Sequence, residues 1–207
     1  MNGRKRGQVL TSYDVSSLVI DKLCDQTEGQ NTTVACFYFD FAARKDQSPT
    51  SVLGALLKQL ICGLEEIPNR ISRAYRSQKS AIGGREPQLA DIVKMLQAIT
   101  SETPTFICID ALDECVARYR VKILDSLNQI LERSPNTRIF VAGRQHIEAE
   151  VGNCFSRKVT TINVTPRKHD IISYLHNRLN EDTTREEMDN SLKADILKKI
   201  GEDISEM

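Results

Sequence analysis

Apolar residues follow two rhythms along this chain. Four compact runs are rich in apolar and β-branched residues: Thr33 to Phe39, Thr105 to Ile109, Arg138 to Ala142 and Val159 to Ile162. Each is short and continuous rather than alternating, the pattern of a strand in a parallel sheet covered on both faces. Between them the spacing changes to three and four. Val52, Leu53, Leu56, Leu57, Leu60 and Ile61 share one helical stripe. Leu89, Ile92, Val93, Leu96 and Ile99 share a second, and Val121, Leu124, Leu127, Ile130 and Leu131 a third. A weaker stripe of Leu10, Val15, Leu18, Val19 and Leu23 predicts a helix ahead of the first strand. Pro49, Pro68, Pro87 and Pro166 each stand just before a helical pattern, where a missing N–H costs nothing. Ser48 and Thr165 precede two of them as N-caps.

Strands alternating with helices predict an α/β fold: an open parallel sheet with right-handed crossovers. Beyond the fourth run the strand signal stops. Ile171, Ile172, Leu175 and Leu179 form one helix face, and Met188, Leu192, Ile196 and Ile200 another. The expected organisation is therefore an α/β core over residues 1–165 and the start of a helical subdomain over 166–207. There is no internal repeat. The loop from Ala81 to Pro87 is the loosest connection within the core.

Composition narrows the function. Lys+Arg and Asp+Glu both number 28 among 207 residues, a formal net charge of +0. Such a balance argues against a dedicated nucleic-acid binder, and three charges at Arg4-Lys5-Arg6 are read as a solvated terminus. No apolar run reaches the ~20 residues of a membrane helix, and no secretory signal stands at the front. A cytoplasmic protein is expected. The six cysteines form no CxxC pair, and several lie inside apolar runs, so reduced core thiols are expected. His146 and His169 have no partners at metal or triad spacing.

Ligands of open α/β sheets bind at the carboxyl ends of the strands. There the sequence places Phe106-Ile107-Cys108-Ile109-Asp110-Ala111-Leu112-Asp113-Glu114. An apolar strand ends in three clustered carboxylates, the layout of a magnesium–nucleotide site. The first acid, Asp110, can hold the hydrated metal, and Asp113 or Glu114 can polarise an attacking water. The bland alternative is a solvated, helix-capping loop. Arg144 directly follows the third strand, at the same sheet edge. Its guanidinium can read a γ-phosphate, or it can pair with Asp113 or Glu114.

The string from Thr105 to Cys115, TFICIDALDEC, resembles the Walker B segment of NACHT-type NTPases of the STAND class, in the spelling of fungal NACHT proteins and the nephrocystin-like module. Ala35 to Phe41 is similar to the family's second strand and Leu53 to Leu60 to its next helix. Thr137 to Arg144 is similar to the fourth strand and its sensor arginine, and Asp170 to Leu175 to the first helix beyond the core. The resemblance implies a P-loop NTPase-type sheet of order 5-1-4-3-2 and a nucleotide-dependent switch controlling oligomerisation. It implies ATP or GTP with Mg²⁺, Asp110 on the metal, Asp113 and Glu114 at the water, and Arg144 as the γ-phosphate sensor. It further implies a homo-oligomer, an N-terminal effector and C-terminal repeats in the full-length protein. Gly143 stands where the family usually has Ser.

One segment departs from the family. If Val9-Leu10 open the first helix, Gly7 stands at the P-loop Lys position and Gln8 at the Ser/Thr position. Neither side chain can hold phosphate or Mg²⁺. On this reading the chain is part of a longer switch protein, or a reading frame lacking an upstream exon, and hydrolysis is not expected of it as written. The alternative is a nucleotide-incompetent scaffold of the same fold that acts through protein contacts. An aspartyl phosphotransferase is disfavoured, because Leu112 occupies the place of its second Asp.

Overall fold

The structure is a computed structural model and describes residues 12–27, 29–64, 69, 72–73, 76, 87–155, 159–164, 168–181 and 190–203. Three parallel strands, β1 (Thr33–Tyr38), β2 (Thr105–Asp110) and β3 (Thr137–Val141), form a sheet of order β1-β2-β3. The register pairs Cys36 with Cys108, Tyr38 with Asp110 and Ile107 with Ile139. Helix α1 (Ser12–Thr27) precedes β1. Helices α2 (Pro49–Cys62) and α3 (Leu89–Thr100) lie between β1 and β2, and α4 (Ala117–Arg133) between β2 and β3. A short α5 (Glu148–Cys154) follows β3. These elements belong to one compact unit, Ser12–Val159. The other unit, Met1–Thr11 with Thr160–Met207, contains α6 (Lys168–Glu181) and α7 (Asn190–Asp203), which pack against each other.

The strand alternation sorts side chains onto two faces. Ala35, Ile107 and Ile109 point into one apolar cluster with Leu53, Leu56, Leu60, Leu96, Leu124 and Leu127, all nearly or fully buried. Helices α2, α3 and α4 pack together on that side. The opposite face carries Cys36, Cys108 and Asp110, and α1 packs against β1 and β2. Full burial of each large aliphatic side chain is worth about 1.5–3 kcal/mol, so the α2–α3–α4 layer holds most of the folding energy.

The helices begin where the sequence places them. Ser48 is the N-cap of α2, accepting the Ser51 N–H at 3.2 Å, with Pro49 in the first turn. The Asp91 carboxylate in the first turn of α3 accepts the Gln88 N–H at 3.2 Å. After α1 the chain turns at Gly29, whose φ of +73° suits a residue without Cβ.

Three expectations need correction. Val159 to Ile162 is not a strand; residues 159–164 have no regular secondary structure and are exposed throughout. A strand needs a neighbour for its backbone groups, and this segment has none among the described residues. The buried face of α1 is also rotated from the predicted stripe: Ser16 and Ile20 are buried, Val19 and Leu23 half-buried, and Leu18 is 58% exposed. In α4 the predicted Val121 is exposed, while Ile123 and Ser126 are buried beside Leu124, Leu127 and Ile130. The Ala81 to Pro87 loop (save Pro87), Pro68, Thr165, Pro166, Leu10 and Met188 lie outside the described residues, as do the Gly7 and Gln8 positions. Among the described residues no helix is long and apolar enough to cross a membrane.

Of the cysteines, Cys108 and Cys115 are buried, whereas Cys24 and Cys62 are exposed. Burial pushes the Cys108 thiol up to about 12, with Cys36 and Cys24 adding to the effect. Burial likewise pushes Cys115 up to about 11. A thiol held neutral in the fold but free to ionise when unfolded draws the protein toward unfolding as pH rises past about 9. Stability is therefore expected to be flat across neutral pH and to fall between pH 9 and 12. Cys108→Ala should flatten that fall in urea titrations at stepped pH. In the native state a thiol reagent should label Cys24 and Cys62 well before Cys108.

Candidate functional site

The carboxyl end of β2 is built by one strained residue. After Asp110 the chain enters the left-handed region at Ala111 (φ 52°, ψ 40°), the sole non-glycine with positive φ among the described residues. That conformation costs a non-glycine residue about 1–2 kcal/mol. It turns the chain sharply, so that Leu112 buries its side chain and donates its N–H to the Ala142 carbonyl at 3.0 Å. Residues Leu112–Glu114 then form a single 3-10 turn that holds all the remaining acids.

Asp110 is 2% exposed. Its Oδ1 accepts the Ser16 hydroxyl at 2.6 Å. Its Oδ2 is buried and has no hydrogen-bond partner among the described residues. A buried carboxylate oxygen left bare is costly unless something else meets it. The one other such side-chain atom among the described residues is the neutral Thr137 hydroxyl, at the amino end of β3. The donor set at Asp110 is hard oxygen from a carboxylate and a hydroxyl, which suits Mg²⁺. Among the described residues no group of three or more His, Cys, Asp or Glu could enclose a metal. A magnesium ion here would keep water or phosphate oxygens for the rest of its shell.

The other two acids are already engaged. Asp113, with its side chain 6% exposed, accepts the Arg144 N–H on Oδ1 at 3.2 Å and meets Arg144 Nε with Oδ2 at 3.4 Å. Glu114 reaches across to the loop after β1 and accepts the Phe41 N–H at 2.9 Å. The Arg144 side chain is 78% exposed and meets Asp113 at its base. The structure thus brings Asp113 and Arg144 into direct contact, and sets Asp110 and Glu114 at the ends of the same short turn. Gly143 makes this contact possible. A Cβ there would stand 2.7 Å from Ile147 Cδ1 and 3.3 Å from Asp113 Oδ1, so the departure from Ser at this position goes with close packing.

Two further residues were not marked by the sequence reading. Ser16 could have been found as the inward position one helical turn before Ile20. Arg120 gave no signal, because Arg118 beside it is equally basic. Arg120 lies on α4 with its side chain 11% exposed. Its Nε pairs with Glu150 at 2.8 Å, and Nη1 donates to the carbonyls of Cys115 at 3.1 Å and Asp113 at 3.4 Å. One guanidinium therefore anchors the acidic turn to α4 and α5. Tyr38, opposite Asp110 in the register, completes this edge. Its hydroxyl is raised above its ordinary value chiefly by burial.

Among known families, the model described as Nephrocystin 3, N-terminal, matches residues 14–144. The chain belongs to that family. The matched stretch runs from within α1 through β3 to Arg144 and contains Ser16, Asp110, Asp113, Glu114, Arg120 and Arg144. Three parallel strands in sequential order, helices on the sheet and the acids at the carboxyl ends agree with the P-loop NTPase-type fold of a nephrocystin-like module. No curated protein matches the chain. Among solved structures, a Walker-type ATPase of Pyrococcus abyssi is similar over 85% of this chain and 61% of its own, with 12% identity and a TM-score of 0.39.

Substitutions at two positions test how the turn is held. Ala111→Gly should leave stability within about 1 kcal/mol of the parent, because it trades chain entropy against relief of the left-handed strain. Ala111→Val should cost about 2 kcal/mol or more, since a β-branched residue resists that conformation. Arg120→Met should cost about 3 kcal/mol by stripping partners from Glu150 and two carbonyls. Arg120→Lys should restore only part of that, lacking the planar fork. Urea midpoints of the four variants check these values.

Proposed function

We propose that this nephrocystin-type domain is a nucleotide-dependent molecular switch that binds ATP or GTP with Mg²⁺ and, in the longer protein, controls oligomerisation. The observation that carries the reading is Asp110: buried, hydrogen-bonded on one oxygen and bare on the other. Asp110 Oδ2 and the Ser16 hydroxyl would hold the metal, whose charge would offset that of the phosphates. Glu114 would orient water once released from the Phe41 N–H. Arg144 would swing its exposed guanidinium from Asp113 to the γ-phosphate. Asp113 would then serve as the resting partner of the sensor, beside any direct part at the water. The domain boundary near residue 165, the cytoplasmic location and the self-assembly of the full-length protein belong to this same reading.

A second reading has its own support. Asp113 spends both oxygens on Arg144, and Glu114 is tied to Phe41. Those contacts alone make a sound structural turn, as in a scaffold of the same fold that acts through protein contacts.

Titration with a fluorescent ATP analogue, with and without Mg²⁺, separates the two. The switch predicts saturable, Mg²⁺-dependent binding, weakened about tenfold or more by Asp110→Asn, in line with loss of a charged ligand. Arg144→Ala should weaken the triphosphate and spare the diphosphate. Absence of saturable binding by the folded parent chain would decide for the scaffold.

A further inference from the structure

The chain leaves β1 through three aromatic residues, and the strand sorts them by chemistry. Phe37 and Phe39 pack with the apolar cluster on the α2 side, their rings edge to face at 5.0 Å between centroids. Tyr38 between them takes the opposite face, the face of Cys36, Cys108 and Asp110. The aromatic residue that carries a hydroxyl is thus the one turned toward the buried carboxylate. Tyr38 is 39% exposed, whereas Phe39 is 1% exposed. Its hydroxyl end stays within reach of a dissolved ligand.

Backbone pairing fixes Tyr38 beside Asp110. The two are register partners, neighbouring strands lie about 4.8 Å apart, and the Phe39 N–H donates to the Asp110 carbonyl at 3.1 Å. Register partners in a parallel sheet project to the same face. On that face α1 brings two serines. Ser16 donates to Asp110 Oδ1 at 2.6 Å, and the hydroxyl of Ser17, the next residue, lies against that of Tyr38. Three neutral hydroxyls therefore gather at a carboxylate whose Oδ2 is bare among the described residues. A magnesium–phosphate group at Asp110 would bring acceptor oxygens that a carboxylate cannot satisfy; they need N–H or O–H donors. Arg144 offers donors from the β3 side of Asp110. A phenol keeps its proton at neutral pH, and Tyr38 offers that donor from the β1 side.

We infer that Tyr38 is a further binding residue of the Asp110 site, whose hydroxyl donates a hydrogen bond to an oxygen of the magnesium–phosphate group held there. The inference rests on the nucleotide reading of Asp110 and adds to it a residue from the edge strand. The ring is carried by β1, which the register holds against β2, so only the hydroxyl has to turn toward the ligand. Phenylalanine at this position would keep the ring and lose the donor.

The test uses the full chain with Mg²⁺ and a non-hydrolysable ATP analogue. Calorimetry gives the affinity, and fluorine NMR of the chain grown with fluorotyrosine gives a signal from each of its five tyrosines. The Tyr38 signal is the one that Tyr38→Phe removes. It should shift on titration and saturate at the calorimetric midpoint, and Asp110→Asn should suppress the shift. Tyr38→Phe should weaken the Mg²⁺–nucleotide complex about three- to tenfold, the loss of one hydrogen bond, and leave the urea midpoint unchanged. Saturable binding with a silent Tyr38 signal overturns the inference and leaves the reading of Asp110 standing. Binding by Tyr38→Phe as tight as the parent's does the same. Absence of any saturable binding by the folded parent chain overturns the reading of Asp110 itself, and this inference with it.

Discussion

Everything at the carboxyl end of this sheet depends on a carboxylate that the fold takes out of water and then leaves half satisfied. Phe106 to Ile109 gain from being covered on both faces, so β2 runs through the centre of the domain. Its last residue is carried inward with them. A buried Asp with a bare oxygen survives only where the surrounding packing outweighs its cost. The apolar layer of α2, α3 and α4 supplies that packing, and α1 supplies the hydroxyl of Ser16. The amino end of the sheet is lined by neutral hydroxyls instead of a carboxylate. There Thr33 and Thr105 share a hydrogen bond at 3.2 Å, and Thr105 also donates to the Thr103 carbonyl at 2.8 Å. The two ends differ in chemistry: the bare atom at the carboxyl end belongs to a carboxylate, and the one at the amino end to the neutral Thr137 hydroxyl.

Much of this was legible in the residues themselves. Three of the four apolar runs are strands in the parallel sheet, because compact β-branched runs between helical stripes have few other ways to bury themselves. The TFICIDALDEC string marked the acids at the sheet edge, and the proline and Ser48 signals marked the starts of helices. The rest depended on partners that no local pattern encodes. Val159 to Ile162 has the composition of a strand, but composition does not provide a neighbour. The face of α1 was misread because Ser16 is polar, and a buried serine looks like a surface residue until the carboxylate opposite it is known. Arg120 and Arg118 are alike in sequence; only the fold decides which one bends back over the turn.

The site residues show the same division. Spacing alone put Asp110, Asp113, Glu114 and Arg144 at one edge. It could not tell that Asp113 faces Arg144 while Glu114 crosses to the Phe41 backbone. Those contacts come from the left-handed step at Ala111, which aims successive side chains in different directions. A single backbone torsion thus distributes three like charges among separate partners and keeps them from crowding one another.

The two arginines that serve this turn differ in how readily they let go. Arg120 is enclosed and holds three oxygens at once, so its release would need the surrounding helices to part. The Arg144 side chain meets Asp113 through Nε alone at 3.4 Å, with 78% of it in solvent, while its backbone N–H is held at 3.2 Å. Only the Arg144 side of that pair lies in solvent, and exposed side chains change rotamer in picoseconds to nanoseconds. The turn therefore has a hinge-side that keeps its shape and a front that samples alternatives continually. Any incoming anion would find a guanidinium already in motion, mounted on a backbone that does not have to move.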